Sequence, residues 1–173
     1  MLTQKDDLIW NKELLAKGEH LFCIKGEGKM GFKALDYSVS VIAIKKKEEL
    51  LGMTCAWAMQ VDYDKMVCLL GAQSQTGKAL EVGDILGISV LNKKQKDYAI
   101  KFGEGHSKEG NKFLDIKYIQ KETALLLPNS TRMMICKVEE IFHLKGIEED
   151  SLIYVKIIEK EENGEDFLHY SDL

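Results

Sequence analysis

Ser74, Gln75, Thr76 and Lys78 follow a buried-looking apolar run, with Gly71 ahead of them and Gly77 between Thr76 and Lys78. The first amides of a helix have no preceding carbonyl to bond. Hydroxyls beside them make a natural phosphate cradle, to which Lys78 adds charge. Taken alone, the segment favours the plainer reading, in which Ser74 or Thr76 only caps the helix. The segment is not a Walker-type loop. Five residues separate Gly71 from Gly77, one more than that motif allows, and Ala79 stands where a magnesium-binding hydroxyl belongs.

A second segment, Gly52-Met53-Thr54-Cys55-Ala56-Trp57-Ala58-Met59-Gln60, is rich in small residues. A flat ligand can approach such a backbone closely, and Trp57 offers an aromatic plane beside it. A core strand with small residues under a packed helix explains the same composition. Residues 26–31 fit the dinucleotide fingerprint G-x-G-x-x-G, but an alternating strand pattern starts at Tyr37. That leaves no room for the helix the fingerprint needs, so a glycine turn is the better reading.

The four cysteines, Cys23, Cys55, Cys68 and Cys136, lie in apolar segments at irregular spacing and read as buried thiols of a reducing compartment. Neither they nor His20, His106, His143 and His169 have metal-ligand spacing, so no metal site is expected.

These residues must be held by a chain of 173 residues, a length that suggests one domain. Lysine and arginine number 24 against 28 acids, a net charge of −4, which argues against a nucleic-acid partner. No apolar run approaches the roughly 20 residues of a membrane span. Asp6 and Asp7 stand where a signal peptide carries positive charge, so the expected location is cytoplasmic, with no membrane partner.

The periodicities place the elements. Asp6 or Asp7 caps a first helix to about residue 17. Tyr37, Val39, Val41 and Ala43 alternate with Ser38 and Ser40 as a strand. The charged residues 45–49 make a hairpin connection to a second strand over about 51–60. Short apolar runs at 66–70 and 85–91 are strands, with a helix over 76–82 between them ended by Gly83. A further helix covers 93–102. Late strands at 133–141 and 152–158 flank a turn at 146–150, and 159–165 is a solvated charged end. Several strands without steady βαβ alternation indicate a mainly β or α+β fold.

In this order the segments resemble the flavin reductase-like family, whose fold is an FMN-binding split β-barrel with peripheral helices. The similarity rests on Gly52, Thr54 and Trp57 of a G-x-T-x-S-W strand, then Asp64, the 66–70 strand, the turn at Ser74 to Thr76 and the 85–91 strand. It continues through Asn92, Gln95 and Phe102, Lys112-Phe113, and Cys136-Lys137-Val138-Glu139. The resemblance implies a single domain over 1–173, with a helical arm over 1–33 and the barrel over 34–158.

It also implies FMN bound at a homodimer interface. Thr54, Cys55, Ala56, Trp57 and Ala58 would hold the ring and ribityl chain, and Ser74, Gln75 and Thr76 the phosphate. The flavin carries the hydride chemistry, so no catalytic side chain and no metal are implied. The expected function is an oxidoreductase passing electrons from NAD(P)H or a redox protein through flavin to an acceptor.

Some positions depart from the family pattern. Ala72 and Gln73 replace a basic residue and a serine, and Lys65-Met66 replaces Pro-Pro. Asp150 fits a late G-D-H pattern, whereas Ser151 stands where the family often has a histidine near the nicotinamide, and Lys156-Ile157 replaces Gly-Glu. These departures favour an alternative in which the chain is a flavin-binding electron carrier or sensor without NAD(P)H turnover of its own. A third reading is a barrel used only for protein interaction.

Overall fold

The computed structural model describes residues 35–104, 111–164 and 166–173. The expected first helix, the glycine turn at 26–31 and Cys23 lie outside these residues. Strand β1 (Ser40–Lys46) turns at Lys47, φ 55°, into β2 (Glu49–Cys55). Strands β3 (Ala58–Asp62) and β4 (Lys65–Leu70) form a second hairpin, followed by the short helix α1 (Gln75–Ala79) and β5 (Ile85–Val90). A 3-10 turn, Lys93–Gln95, leads into α2 (Lys96–Gly103). The short strands β6 (Ile119–Lys121) and β7 (Ala124–Leu126) precede a long hairpin of β8 (Arg132–Leu144) and β9 (Ile147–Glu162).

Every pairing is antiparallel, in the order β3-β4-β9-β8-β5-β1-β7-β6, with β2 added on β1. The segment expected as one strand over 51–60 is two. Its first half pairs with β1 as far as Cys55, and its second half pairs with β4 from Ala58. The chain leaves one ladder for the other at Ala56 and Trp57, so the ring of strands is not closed there. This is the split of a split β-barrel.

Strand β1 is apolar on both faces because both are covered. Ile42 and Ile44 enter the barrel core with Leu51, Cys68, Leu86, Ile88, Cys136, Ile153 and Val155. Val39, Val41 and Ala43 face a second core with Ala99 and Phe102 of α2, Phe113 and Leu125. Burying a side chain such as Phe102 contributes about 1.5–3 kcal/mol. Helix α2 can lie this close because of Gly52, where a Cβ would stand 2.7 Å from the Phe102 ring. Asn92 and Gln95 close the 3-10 turn ahead of the helix through a reciprocal capping box. Lys112 Nζ donates to the Phe102 carbonyl at 2.9 Å near its end, and burial lowers the Lys112 pKa.

Helix α1 stops at Ala79, short of the expected 82, because Leu80 is extended and buried. The charged run from Glu159 is no loose end: it continues β9 to Glu162, paired with Arg132. Beyond it Leu168 is buried in the second core, and its backbone bonds Val39 and Leu91. Three register shifts bend the β8–β9 hairpin around the barrel. No helix among the described residues is long and apolar enough to cross a membrane.

Candidate functional site

Strand β2 alternates strictly, and this decides what each candidate residue presents. Leu51 and Cys55 belong to the barrel core and Met53 packs against it, whereas Gly52 lies under Phe102 of α2. Thr54, on the helix side, donates its hydroxyl proton to the Ala99 carbonyl at 2.6 Å. Cys55 is 3% exposed, and its thiol reaches the Leu69 carbonyl at 3.6 Å. Neither side chain projects from the open end of the strand.

At the bend Ala56 is half-buried and Trp57 is 49% exposed, and the Trp57 carbonyl accepts from Leu69 N–H at 2.8 Å. Ala58 packs on the core. What this segment offers outward is therefore backbone and the Trp57 indole.

The buried thiols are chemically quiet. Burial pushes the Cys136 thiol up to about 12. A hydrogen bond with Cys55, then burial, raises Cys68 well above an ordinary thiol. Thiolate, the reactive form, is suppressed in both.

The turn after β4 is built differently. Ser74 is the N-cap of α1: its Oγ accepts from Gly77 N–H at 3.0 Å, and its N–H donates to the Gly71 carbonyl at 2.9 Å. The same Oγ donates to Met53 Sδ at 2.8 Å. This contact sets the turn against β2 one residue before Thr54, so the two candidate segments are neighbours.

With Ser74 acting as the cap, Thr76 is left over. It is 1% exposed, and its Oγ1 has no hydrogen-bond partner. The amides of Gln75 and Thr76, at the start of the helix, also have no acceptor among the described residues. A buried hydroxyl without a partner costs about 1–3 kcal/mol and needs an explanation. A phosphate oxygen accepting from it, beside two amides that lack acceptors, is such an explanation. The donor set fits the phosphate end of a flavin nucleotide.

Three further residues shape the turn in ways their sequence spacing does not show. Gly52 and Met53 were part of a small-residue strand, but nothing in their spacing indicated that one seats a helix and the other holds the turn. Asp150 was legible only as a pattern match, and its Oδ1 accepts from Ala72 N–H at 2.8 Å. Asp64 lies instead at the β3–β4 turn, 3.9 Å from Lys156 Nζ.

Residues 32–172 match the family model described as flavin reductase like domain. The chain belongs to this family. Solved flavin reductase folds superpose on it at low identity. The NADH:FAD oxidoreductase SgcE6 of Streptomyces globisporus C-1027 is 17% identical, with a TM-score of 0.66 over 74% of this chain and 76% of that one. The same protein is also known in complex with NAD and FAD fragments. The styrene monooxygenase flavin reductase of Pseudomonas putida S12 is 15% identical, with a TM-score of 0.63 over 78% of this chain and 86% of that one. No curated protein sequence matches the chain significantly. At these identities the structural matches establish the flavin reductase fold, with the split barrel seen above.

Proposed function

We propose that this flavin reductase-like chain is an FMN-binding oxidoreductase that passes electrons from NAD(P)H or a redox protein through flavin to an acceptor. The observation that carries this reading is the Thr76 hydroxyl, buried and without a partner in the turn that Ser74 caps. Thr76 Oγ1 and the amides of Gln75 and Thr76 would hold the phosphate. The backbone of Thr54, Cys55, Ala56 and Ala58 and the indole of Trp57 would hold the ring and ribityl chain. When bound, FMN supplies the hydride- and electron-accepting chemistry that none of these side chains has. The side chains bind, orient and shield it.

The chain acts as a homodimer in this reading. An apolar row on the outer sheet face supports it. Met59 and Val61 on β3 are 56% and 48% exposed, and Phe142 on β8 is 41% exposed. Val67 and Tyr154 lie in register with Met59, in a row that ends at the exposed Glu140, and Leu152 lies in register with Phe142 in the neighbouring row. Exposed apolar rows of this kind mark contact surfaces.

One observation favours a second reading, a flavin-binding carrier without NAD(P)H turnover. Ser151, opposite Leu70, offers only a hydroxyl, and the hairpin's His143 is engaged with the Asp150 carbonyl at 3.0 Å. Titrating FMN into the full chain and following the flavin absorption bands tests the common core. Saturable perturbation is expected, and none would refute both readings. Steady NADH or NADPH oxidation in the presence of FMN selects the enzyme, and its absence the carrier.

A further inference from the structure

The turn that carries Ser74 and Thr76 is held at two points. From β2, Met53 Sδ accepts from Ser74 Oγ. From β9, Asp150 Oδ1 accepts from Ala72 N–H at 2.8 Å, across 78 positions of sequence. Asp150 is itself tied to β8, since its carbonyl meets His143 Nδ1 at 3.0 Å. A carbonyl can only accept, so Nδ1 carries the proton in this contact. The turn is thereby joined to the β8–β9 hairpin as well as to its own neighbours in the chain. The Ser74 N–H to Gly71 carbonyl bond then passes this placement on to the cap.

The chemistry of Asp150 is informative in this place. A carboxylate beside an anion-binding turn opposes the anion through its charge. What it contributes is therefore its geometry as an acceptor. A hydrogen bond from a neutral amide to a carboxylate is among the stronger ones available, and it fixes the direction of the Ala72 peptide.

We propose that Asp150 is a positioning residue for the phosphate end of the flavin: it fixes Ala72, and through Ala72 the register of Ser74, Gln75 and Thr76 against the ligand. This rests on the reading of that turn as the phosphate holder. Asp150 touches no flavin atom, and its effect is confined to flavins that carry the phosphate.

The test compares FMN with riboflavin, which lacks the phosphate, by fluorescence-quenching titration of the full chain and of D150A and D150N. The unmodified chain binds FMN more tightly than riboflavin. D150A loses roughly tenfold in FMN affinity, the scale of one charge-assisted hydrogen bond, and keeps its riboflavin affinity. D150N keeps the acceptor oxygen and removes the opposing charge, so its preference for FMN is retained or increased.

D150A with the original preference, or with equal losses for both flavins, overturns the proposal. If D150A does not fold, a diminished preference in D150N overturns it equally well. An unmodified chain that does not distinguish the two flavins refutes the phosphate reading itself, and that failure is visible before any variant is made.

Discussion

Thr76→Val separates a structural hydroxyl from a ligand-binding one, because the two roles predict opposite signs. Ser74 already caps α1, so Thr76 Oγ1 makes no bond that holds the helix. Leaving a hydroxyl buried without a partner costs about 1–3 kcal/mol, and valine fills nearly the same volume without it. Threonine and valine have similar helix propensities, so the backbone adds little to the difference.

The flavin-free T76V protein is therefore expected to be more stable by about 1–2 kcal/mol, raising Tm by roughly 2–8 °C for a chain of this size. Its FMN affinity moves the other way. Loss of a hydrogen bond to a charged phosphate, about 1.5–3 kcal/mol, weakens binding by roughly 10- to 150-fold. Riboflavin binding is unchanged.

Urea or thermal unfolding of the flavin-free chain measures the first quantity, and fluorescence titration with both flavins the second. T76S is the control: it keeps the hydroxyl, loses a methyl group, and retains FMN binding. A T76V chain that is less stable without flavin, or that binds FMN as before, would refute the reasoning.

Other consequences are equally direct. A Cβ on Gly87 would stand 2.1 Å from the Leu125 backbone oxygen, and one on Gly52 would stand 2.7 Å from the Phe102 ring. G87A is expected to cost at least about 3 kcal/mol, and G52A about 1–3 kcal/mol because a ring can shift where a backbone cannot. Urea denaturation giving the reverse order would contradict the packing described. With its thiol pushed up to about 12, Cys136 should resist iodoacetamide at pH 8 in the native chain and react on unfolding, as peptide mass spectrometry would record. The same raised pKa means this thiol's contribution to stability is present below about 9 and is lost as pH rises towards 12, because the unfolded thiol ionises first. Met59→Lys, on the exposed row of β3, should convert the proposed dimer to a monomer in sedimentation velocity. An unaltered dimer would place the interface elsewhere.

Local chemistry fixed much of this protein within its sequence. The alternation around Val39 to Ala43 reads as a strand. The segment over 93–102 reads as a helix, and short apolar runs at β4 and β5 are too brief for helices. These features depend on neighbours a few residues apart. The serial order of such segments was enough to indicate the family and its split barrel.

Tertiary structure decided the rest, because it depends on partners far away in the chain. Ala56 and Trp57 look like the middle of one strand, and only the competing ladders of β1 and β4 bend the chain there. Strands β6 and β7 are three residues each and carry no periodicity of their own; β7 exists by pairing with β1 and β6. Both Ser74 and Thr76 are hydroxyls in the same turn. Packing gave the first the Gly77 amide and Met53, and buried the second with nothing to bond.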